Sequence, residues 1–537
     1  MEEERLVASS STRRNPSAHP PLSRARLSLL LAIATVLLLF AMGRNTVALA
    51  AWLAPVFLLR YTRSVRRWYS LVLAGLVLFL AWLFQFRGMV PLPPAGIVGV
   101  GLGAAFFGFL PYGIDRWMNR RSAGFAGTLV FPCAVAGVDF LGSSTSPYGS
   151  WCALGYSQYG NLPIMQLASI TGLYGISFLV AWLGPVINWA WERQFDWRQV
   201  RRGAAIFSSV LAGVYLLGSA RLFWSEPPAK YQRVAGIAAG GYRIFASRSV
   251  EERFWAGQPL GEAELTAVQA AMAEKTEKLF TLSEQEVKAG ARLVFWSEAV
   301  AWVLKSDEPA LVGQGSEFAA RNHVYLGMAI NALDPTQAKF SQNKLVLIGP
   351  DGRVLFEYWK SRPVPGGEAS VMQTNGNPMR YADTPLGRIG SFICFDLDFP
   401  ALVRQAGRAR VDLLIAPSND WPAIDPWNTQ MAAFRAVENG CNLVRDVSNG
   451  RSLAVDYLGR SLAETDYFTG ARGIVAYVPT RGVHTLYASV GDLFAWLCIG
   501  VLILLPIAYT RRNLPNQGTG LAHGDHGHPF AGTALGE

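Results

Sequence analysis

Three residues with reactive or charged side chains each follow an apolar, strand-like run. Glu298 ends the run in LVFWSEA, Lys360 follows LFEYW, and Cys394 follows IGSFI. Functional groups in α/β folds collect where strands end, and a thiol assisted by neighbouring ionisable groups can act as a nucleophile. Each residue alone also has an ordinary interpretation: an acid at a helix start, a solvated lysine and a buried cysteine that packs as an apolar residue.

Histidine chemistry is poorly supported by this chain. It has six histidines. Only His323 and His484 lie in the part of the chain between the apolar runs near the N-terminus and the last apolar run near the C-terminus. His323 follows a predicted helix and is expected to be a surface or capping residue, and His484 abuts the last apolar run. A Ser-His-Asp or Cys-His site is therefore disfavoured. Five cysteines without a CxxC pair predict no zinc site or disulfide framework, so we predict no metal and no other cofactor.

The elements that must position these side chains alternate between strand-like and helix-like runs over residues 225–484. The predicted strands are 233–238, 292–296, 324–330, 343–348, 354–358, 388–393, 411–416, 442–447 and 473–478, and the predicted helices are 261–288, 309–321, 399–408 and 427–439. Asp351-Gly352 and Leu458-Gly459 mark hairpin turns. This alternation predicts one α/β domain.

The rest of the chain has the composition of a membrane protein. Hydrophobic residues make up 51%, charged residues only 16%, and the mean hydropathy is +0.21, whereas ordinary globular chains are ~25% charged. The predicted spans are 27–43, 46–59, 68–86, 95–114, 123–141, 164–191, 203–223 and 486–509. The short second run also fits a re-entrant segment or buried helix, and Gly99 with Gly103 predicts close helix packing.

The distribution of arginine supports about eight spans. With the N-terminus inside, eighteen arginines fall in the tails and loops predicted to face the cytoplasm, and only Arg44 and Arg87 in the short outside loops. The predicted organisation is a cytoplasmic tail (1–26), seven spans (27–224), an extracytoplasmic domain (225–484), a last span (485–510) and a cytoplasmic disordered tail (511–537). The net charge of +10 is then largely topological, and nucleic acid is not an expected partner.

Several ordered motifs extend the pattern of the three residues. They are LGYSQ at 154–158, WSEA at 296–299, PSNDW at 417–421 and PWNTQMAAFRAVENG at 426–440. The acid, lysine and cysteine resemble the Glu-Lys-Cys triad of the nitrilase superfamily. With the eight-span topology, residues 25–510 resemble the apolipoprotein N-acyltransferases, a membrane-bound branch of that superfamily. The resemblance implies an α-helical membrane domain plus a nitrilase-like αββα sandwich, located at the bacterial inner membrane with the sandwich in the periplasm.

The resemblance also implies roles for the site residues. Glu298 would be the general base, Cys394 the nucleophile that forms a thioester, and Lys360 an oxyanion donor together with the backbone N–H after Cys394. Glu368 matches a second acid that supports Lys360, and Asp396 stands where the family has Glu. The implied partners are a phospholipid acyl donor, a diacylated apolipoprotein acceptor and the surrounding membrane lipids.

Further residues are expected to support the site or contact substrate. They are Phe395, Asn343, Trp296 and Trp421, and the tryptophans, with Trp302 and Trp359, either line an acyl groove or serve as core aromatics.

The chain departs from the family pattern at several places. Cys-Phe-Asp replaces Cys-Tyr-Glu at 394–396, Pro-Gly-Gly-Glu replaces Pro-Phe-Gly-Glu at 365–368, and the first strand reads AGIAAGGYR without the usual Gln-Asn. These differences leave two alternatives open: a membrane-tethered amidase of the nitrilase type, and a catalytically silent envelope protein.

Overall fold

The computed structural model describes residues 22–512 except 66, 120–123, 226–229, 239–243, 257, 377 and 467–472. Most of each predicted terminal tail lies outside the described residues. Residues 239–243 of the segment AGIAAGGYR also lie outside them.

The N-terminal part of the chain, here called the helical region (24–224), is built of apolar helices. They are α1 (Arg24–Leu39), α2 (Ala48–Ser64), α3 (Tyr69–Gln85), α4 (Pro94–Asn119), α5 (Val130–Thr145), α6 (Leu162–Met165), α7 (Ala168–Thr171), α8 (Leu173–Trp191) and α9 (Trp197–Trp224). Among the described residues, four helices are long and apolar enough to cross a membrane: Pro94–Met118, Phe125–Thr145, Leu173–Trp191 and Trp197–Trp224. The shorter apolar helices Tyr69–Gln85, Leu162–Thr171 and Leu493–Leu505 accompany them.

Two predictions within the helical region are corrected by the structure. The span expected at 164–191 begins only at Leu173, because Gly172 adopts a left-handed φ of 68° that ends α7. The close packing expected at Gly99 and Gly103 is wrong, since a Cβ at either position would meet nothing within 4 Å. The close approach occurs instead at Gly101, where a Cβ would lie 2.8 Å from the Trp82 ring.

The remainder, here called the two-sheet domain (231–479), contains thirteen described strands. They are β1 (Tyr231–Ile237), β2 (Leu293–Trp296), β3 (Ala301–Leu304), β4 (Tyr325–Leu333), β5 (Ser341–Ile348), β6 (Val354–Trp359), β7 (Tyr381–Thr384), β8 (Gly387–Ser391), β9 (Leu413–Asn419), β10 (Asn442–Ser448), β11 (Arg451–Val455), β12 (Ser461–Asp466) and β13 (Gly473–Pro479). One sheet has the order β13-β1-β2-β4-β5-β6, with β3 paired to β4, and the other has the order β12-β11-β10-β9-β8-β7.

Helices cover the outer face of each sheet, which gives four layers. The helices that follow α9 are α10 (Arg248–Trp255), α11 (Glu262–Lys288), α12 (Glu308–Asn322), α13 (Gly367–Val371), α14 (Pro400–Arg408), α15 (Trp427–Asn439), α16 (Leu486–Val490) and α17 (Leu493–Arg512). α11 and α12 pack on the first sheet, and α15 packs on the second. The expected αββα layering is thus observed, as are all four predicted helices and both hairpin turns.

The inner faces of the two sheets meet at small and polar side chains. A Cβ at Gly236 on β1 would lie 2.5 Å from the Cβ of Asp446 on β10, so only glycine permits this approach. The hydroxyls of Ser297 and Ser448 lie 2.6 Å apart across the same interface. This close spacing brings the segment after β2, which carries Glu298, near the second sheet.

Candidate active site

The three residues singled out in the sequence converge from three strand ends. Glu298 follows β2, Lys360 follows β6, and Cys394 follows β8 in the second sheet. The Lys360 Nζ lies 2.7 Å from the Glu298 Oε1, and the Glu298 carboxylate also interacts with the Cys394 thiol. The thiol is also 3.8 Å from the carbonyl oxygen of Asn419. An acid, an ammonium and a thiol therefore share one buried site.

Burial sets the protonation of the thiol. Burial raises the pKa of Cys394 well above its ordinary value, and the adjacent Glu298 charge raises it further while Lys360 opposes the shift. Burial also raises the pKa of Glu298, against the opposing effect of the Lys360 ammonium. The cysteine therefore rests as a thiol beside a carboxylate, and the neighbouring groups do not hold it as a thiolate before reaction.

Lys360 is held as an ammonium between two carboxylates. Its Nζ lies 2.9 and 2.7 Å from the two Glu368 oxygens, in addition to its contact with Glu298. Burial disfavours the charge, but Glu298 and Glu368 together raise the pKa of Lys360 well above its ordinary value. The Val364 N–H fixes Glu368 through a 2.9 Å hydrogen bond. The Glu368 side chain is about one-third exposed, so this end of the site opens to solvent or substrate.

Asn343 orients both the acid and the lysine. Its Nδ2 donates to the Glu298 Oε1 over 2.8 Å, and its backbone carbonyl accepts from the Lys360 N–H at 2.9 Å. The residue lies on β5, next to β6 in the sheet, so its side-chain amide reaches Glu298 while its backbone carbonyl reaches Lys360.

Cys394 begins a short 3₁₀ turn, Cys394–Asp398, here called the Cys394 turn. Its φ of 47° is unusual for a residue other than glycine, and such backbone strain is typical of functional positions. Asp396 fastens this turn to the segment after Lys360, because its carboxylate accepts from the N–H groups of Arg362 at 2.7 Å and Ile393 at 3.1 Å. The Tyr358 hydroxyl donates to it at 2.8 Å. Burial raises the pKa of Asp396 to about 7.

The far end of the Cys394 turn is held by the helical region. A segment between α5 and α6, here called the docking loop (146–161), donates to Asp398 from the Trp151 indole at 2.6 Å. Ser150 donates to the Asp398 carbonyl from its backbone N–H at 2.9 Å and from its hydroxyl at 2.7 Å. Ser150, Trp151 and Asp398 were not predicted from the sequence, in which only the nearby LGYSQ motif marks this part of the chain.

A buried ion pair lies behind Cys394. Arg445 on β10 binds Asp420 through contacts of 3.0 and 2.8 Å, and it also donates to the Thr429 hydroxyl. Asp420 belongs to the PSNDW motif, but Arg445 was not predicted. Both charges act on the Cys394 thiol, with opposite signs.

The tryptophans that were predicted to line an acyl groove or to pack in the core differ in their surroundings. Trp296 is fully buried and donates to the Ser283 hydroxyl at 3.0 Å, so the interpretation that it lines a groove is wrong and it is a core residue. Trp302 packs against a small apolar cluster separate from the main core. The Trp359 ring lies under the Lys344 ammonium, with 4.8 Å between Nζ and the ring centroid. Trp421 donates to the Gly88 carbonyl at 3.0 Å and so joins the two-sheet domain to the loop between α3 and α4.

An apolar cavity of about 530 Å³ lies within the helical region. Its lining includes Leu38, Ala54, Trp82, Gly103, Val135 and Trp151. The Trp151 ring, in turn, packs edge-on against Phe395 with 6.2 Å between centroids. Phe395 is the residue after Cys394, so a residue that lines the cavity contacts the Cys394 turn directly.

Comparison with known proteins defines the class of this fold and site. The carbon-nitrogen hydrolase family model matches residues 263–482, which include Glu298, Lys360 and Cys394. The model of the apolipoprotein N-acyltransferase N-terminal domain matches residues 26–186 in the helical region. The protein is thus a nitrilase-like carbon-nitrogen hydrolase domain joined to apolar, membrane-type helices.

Curated relatives narrow this class. The chain is 27% identical over 532 residues to the apolipoprotein N-acyltransferase of Geobacter metallireducens, covering 91% of this chain and 96% of that protein. It is 24% identical to that of Bradyrhizobium diazoefficiens, over 78% of this chain and 79% of the relative. It is 27% identical to that of Gloeobacter violaceus, over 85% and 89%. Over most of its length, therefore, the chain is similar to the apolipoprotein N-acyltransferases.

Proposed function

We propose that this protein transfers an acyl chain from a phospholipid to the N-terminal amine of a diacylglyceryl-cysteine on an apolipoprotein. The observation that carries the proposal is the buried Glu298, Lys360 and Cys394 constellation, held at one end by the helical region. The names of the relatives favour this acyltransferase over an amidase. The apolar cavity beside the site suits an acyl chain, because each CH₂ kept out of water is worth roughly 0.8 kcal/mol.

In the first step, Glu298 takes the thiol proton of Cys394 as the sulfur attacks an ester carbonyl of the phospholipid. A C–S bond forms, and the carbonyl oxygen becomes an oxyanion that Lys360 and the Phe395 N–H stabilise. The intermediate collapses, the C–O bond breaks, and the leaving alkoxide takes the proton from Glu298. The products are a thioester on Cys394 and a lysophospholipid. Because the resting group is a thiol, deprotonation and attack are coupled on this pathway.

In the second step, the lipoprotein amine attacks the thioester carbonyl. A C–N bond forms while Glu298 accepts a proton from the nitrogen, and the same donors bind the second oxyanion. Breaking the C–S bond releases the amide, and the sulfur recovers its proton from Glu298. The site therefore returns to its starting state without any added reactant.

We further propose that the helical region and α17 make eight crossings and that the two-sheet domain lies outside the cytoplasm. The eighteen-to-two distribution of arginine between inside and outside segments supports this orientation. In the proposed orientation, the site would face the outer leaflet, where both lipid substrates present their ester and amine groups.

The test uses the purified full chain with phosphatidylethanolamine labelled in its sn-1 chain and a diacylated lipopeptide. We expect labelled triacylated peptide by mass spectrometry, and a labelled Cys394 thioester when the peptide is omitted. Cys394→Ser should abolish both, whereas Cys441→Ser, which alters a buried cysteine at the end of α15, should retain both. Equal loss in both variants would contradict the nucleophile assignment, and ammonia release from amides without acyl transfer would favour an amidase.

A further inference from the structure

A second, polar pocket of about 350 Å³ opens on the two-sheet domain. Its charged lining comes from β7, from the segments that begin β8 and β9, and from the chain leading to α16. Since Cys394 follows the other end of β8, the pocket and the candidate active site lie at opposite ends of that strand. The lining includes Asp383, Arg388, Arg410, Asp412, Arg481 and His484.

The acids and one arginine of this pocket are already engaged. Arg388 binds Asp383 through its Nε at 2.7 Å. Asp412 accepts from the backbone N–H groups of Arg388 at 2.8 Å and Gly482 at 2.9 Å. Within the described part of the chain, no ion pair is formed by Arg410 or Arg481, and both are exposed. The pocket therefore presents two guanidinium groups without an ion-pair partner among the described residues, and its three arginines outnumber its two acids.

The pocket lies beside the start of the membrane-type helices. Val483 donates its N–H to the Gly440 carbonyl at 2.7 Å, and Thr485 donates to the Glu438 carbonyl. Glu438, in turn, accepts from the N–H of Leu173, the first residue of α8, at 2.9 Å. One short chain of contacts thus links the pocket to the end of a span-length helix.

Apolar side chains next to the pocket are uncovered. Val483 is 40% exposed, and Leu486 and Leu493, on the way into α17, are 54% and 50% exposed. Exposed apolar residues beside unpaired arginines are typical of a protein surface at the lipid headgroup level, where the apolar groups enter the acyl region and the guanidinium groups reach phosphates.

We infer that this pocket binds the phosphate group of an anionic phospholipid, at a site separate from the acyl-transfer centre. Arg410 and Arg481 supply the charge, since guanidinium groups bind phosphate oxygens in a bidentate manner. Val483 and Leu486 would contact the upper acyl chain. The bound lipid anchors the two-sheet domain to the membrane surface beside α17 and takes no part in the reaction at Cys394.

The test measures lipid retention by native mass spectrometry. The full chain, purified in detergent, is incubated with equal amounts of phosphatidylglycerol and phosphatidylcholine. We expect preferential retention of phosphatidylglycerol, and a loss of that preference by about tenfold or more in the Arg410→Gln/Arg481→Gln double variant. The matched control, Arg292→Gln/Arg353→Gln, removes two exposed arginines from the other sheet and should retain the preference.

Three results would overturn the inference. They are an unchanged preference in the Arg410/Arg481 variant, an equal loss in the control, and full displacement of the lipid by millimolar inorganic phosphate, which would indicate a site for the free anion. Acylation of Cys394 by phosphatidylethanolamine in neutral detergent should be the same in both double variants. That readout reports on the acyl-transfer proposal independently, and thermal unfolding of each variant verifies that it is folded.

Discussion

The Trp151 indole, in the helical region, donates a 2.6 Å hydrogen bond to Asp398 at the end of the Cys394 turn. The two residues are 247 positions apart in sequence, yet the contact is fully buried. The position of the nucleophile therefore depends on the helical region as well as on the two-sheet domain.

Replacing Trp151 with phenylalanine should slow acylation of Cys394. The variant keeps an aromatic ring beside Phe395 but removes the donor to Asp398, a hydrogen bond worth about 1.5 kcal/mol or roughly tenfold in rate if it acts fully on positioning. The measurement is the rate of thioester formation in a single turnover with labelled phosphatidylethanolamine.

Trp182→Phe provides the matched control for this change. Trp182 is also buried in the helical region and donates a single 3.0 Å hydrogen bond, to Thr128, away from the Cys394 turn. Its loss should lower stability without slowing acylation. A similar rate decrease in both variants would indicate a general effect of destabilising the helical region.

Gly149→Ala should disrupt the same contact, between the docking loop and the Cys394 turn, by steric conflict. Gly149 has a φ of 57°, and a Cβ there would lie 2.4 Å from the Asp398 carbonyl oxygen. We expect slower acylation and a loss of about 1–3 kcal/mol of stability. Gly213→Ala, in α9 with open space around the added Cβ, should leave both the acylation rate and the apparent Tm near those of the parent protein.

The sequence predicts the residues of the candidate active site better than it predicts the contact between the docking loop and the Cys394 turn. Glu298, Lys360 and Cys394 could be found because each polar residue interrupts an apolar run, and such runs are the strongest strand signal. Four strands were not predicted: β7 and β12 lie at the two edges of the second sheet and mix polar with apolar residues, and β3 and β11 are only four and five residues long. The Trp151 contact could not be predicted, since no local pattern reports a pairing between distant segments.

Asn343 and Trp296 show the same limit at the level of single side chains. Both were expected near the site, and only the tertiary structure distinguishes them. Asn343 directs its amide to Glu298, whereas Trp296 packs on α11. Glu298 lies two residues after Trp296 and beyond the end of β2, so the alternation of faces along the strand does not relate the two side chains, and proximity in sequence did not fix the role of Trp296.

Glu368→Gln should move the acidic limb of the pH profile for acylation to lower pH. Glu298 acts as a base only when ionised, and its raised pKa places that limb above the ordinary carboxyl value of about 4.3. The Glu368 charge contributes to this increase, so its removal lowers the pKa of Glu298. The measurement is kcat/KM against pH, and the plateau should also fall, by about tenfold, because Lys360 loses one carboxylate oxygen and the negative charge of Glu368.

Glu357→Gln tests whether that shift is specific. Glu357 lies near a different buried lysine, Lys344, at 3.4 Å, so its replacement changes the total charge by the same amount without touching Lys360. Its acidic limb should coincide with that of the parent protein. An unmoved limb in Glu368→Gln would contradict the assignment of Glu298 as the base.

Asp446→Asn should make the protein more stable at alkaline pH. Asp446 lies between the two sheets with one carboxylate oxygen unpartnered among the described residues, and burial raises its pKa to about 8. An acid whose folded pKa is above its unfolded value of ~3.9 binds more protons when folded, so its contribution to stability is lost as the pH rises from about 4 through about 8. Asparagine has the same shape and does not ionise. We therefore expect an apparent Tm near that of the parent at pH 5 but several degrees higher at pH 9, on the order of 1–3 kcal/mol.

Asp351→Asn, at the exposed β5–β6 turn, is the control and should change the apparent Tm at neither pH. An Asp446→Asn protein that is less stable than the parent at pH 9 would contradict the prediction, because it would show that the ionised carboxylate is required.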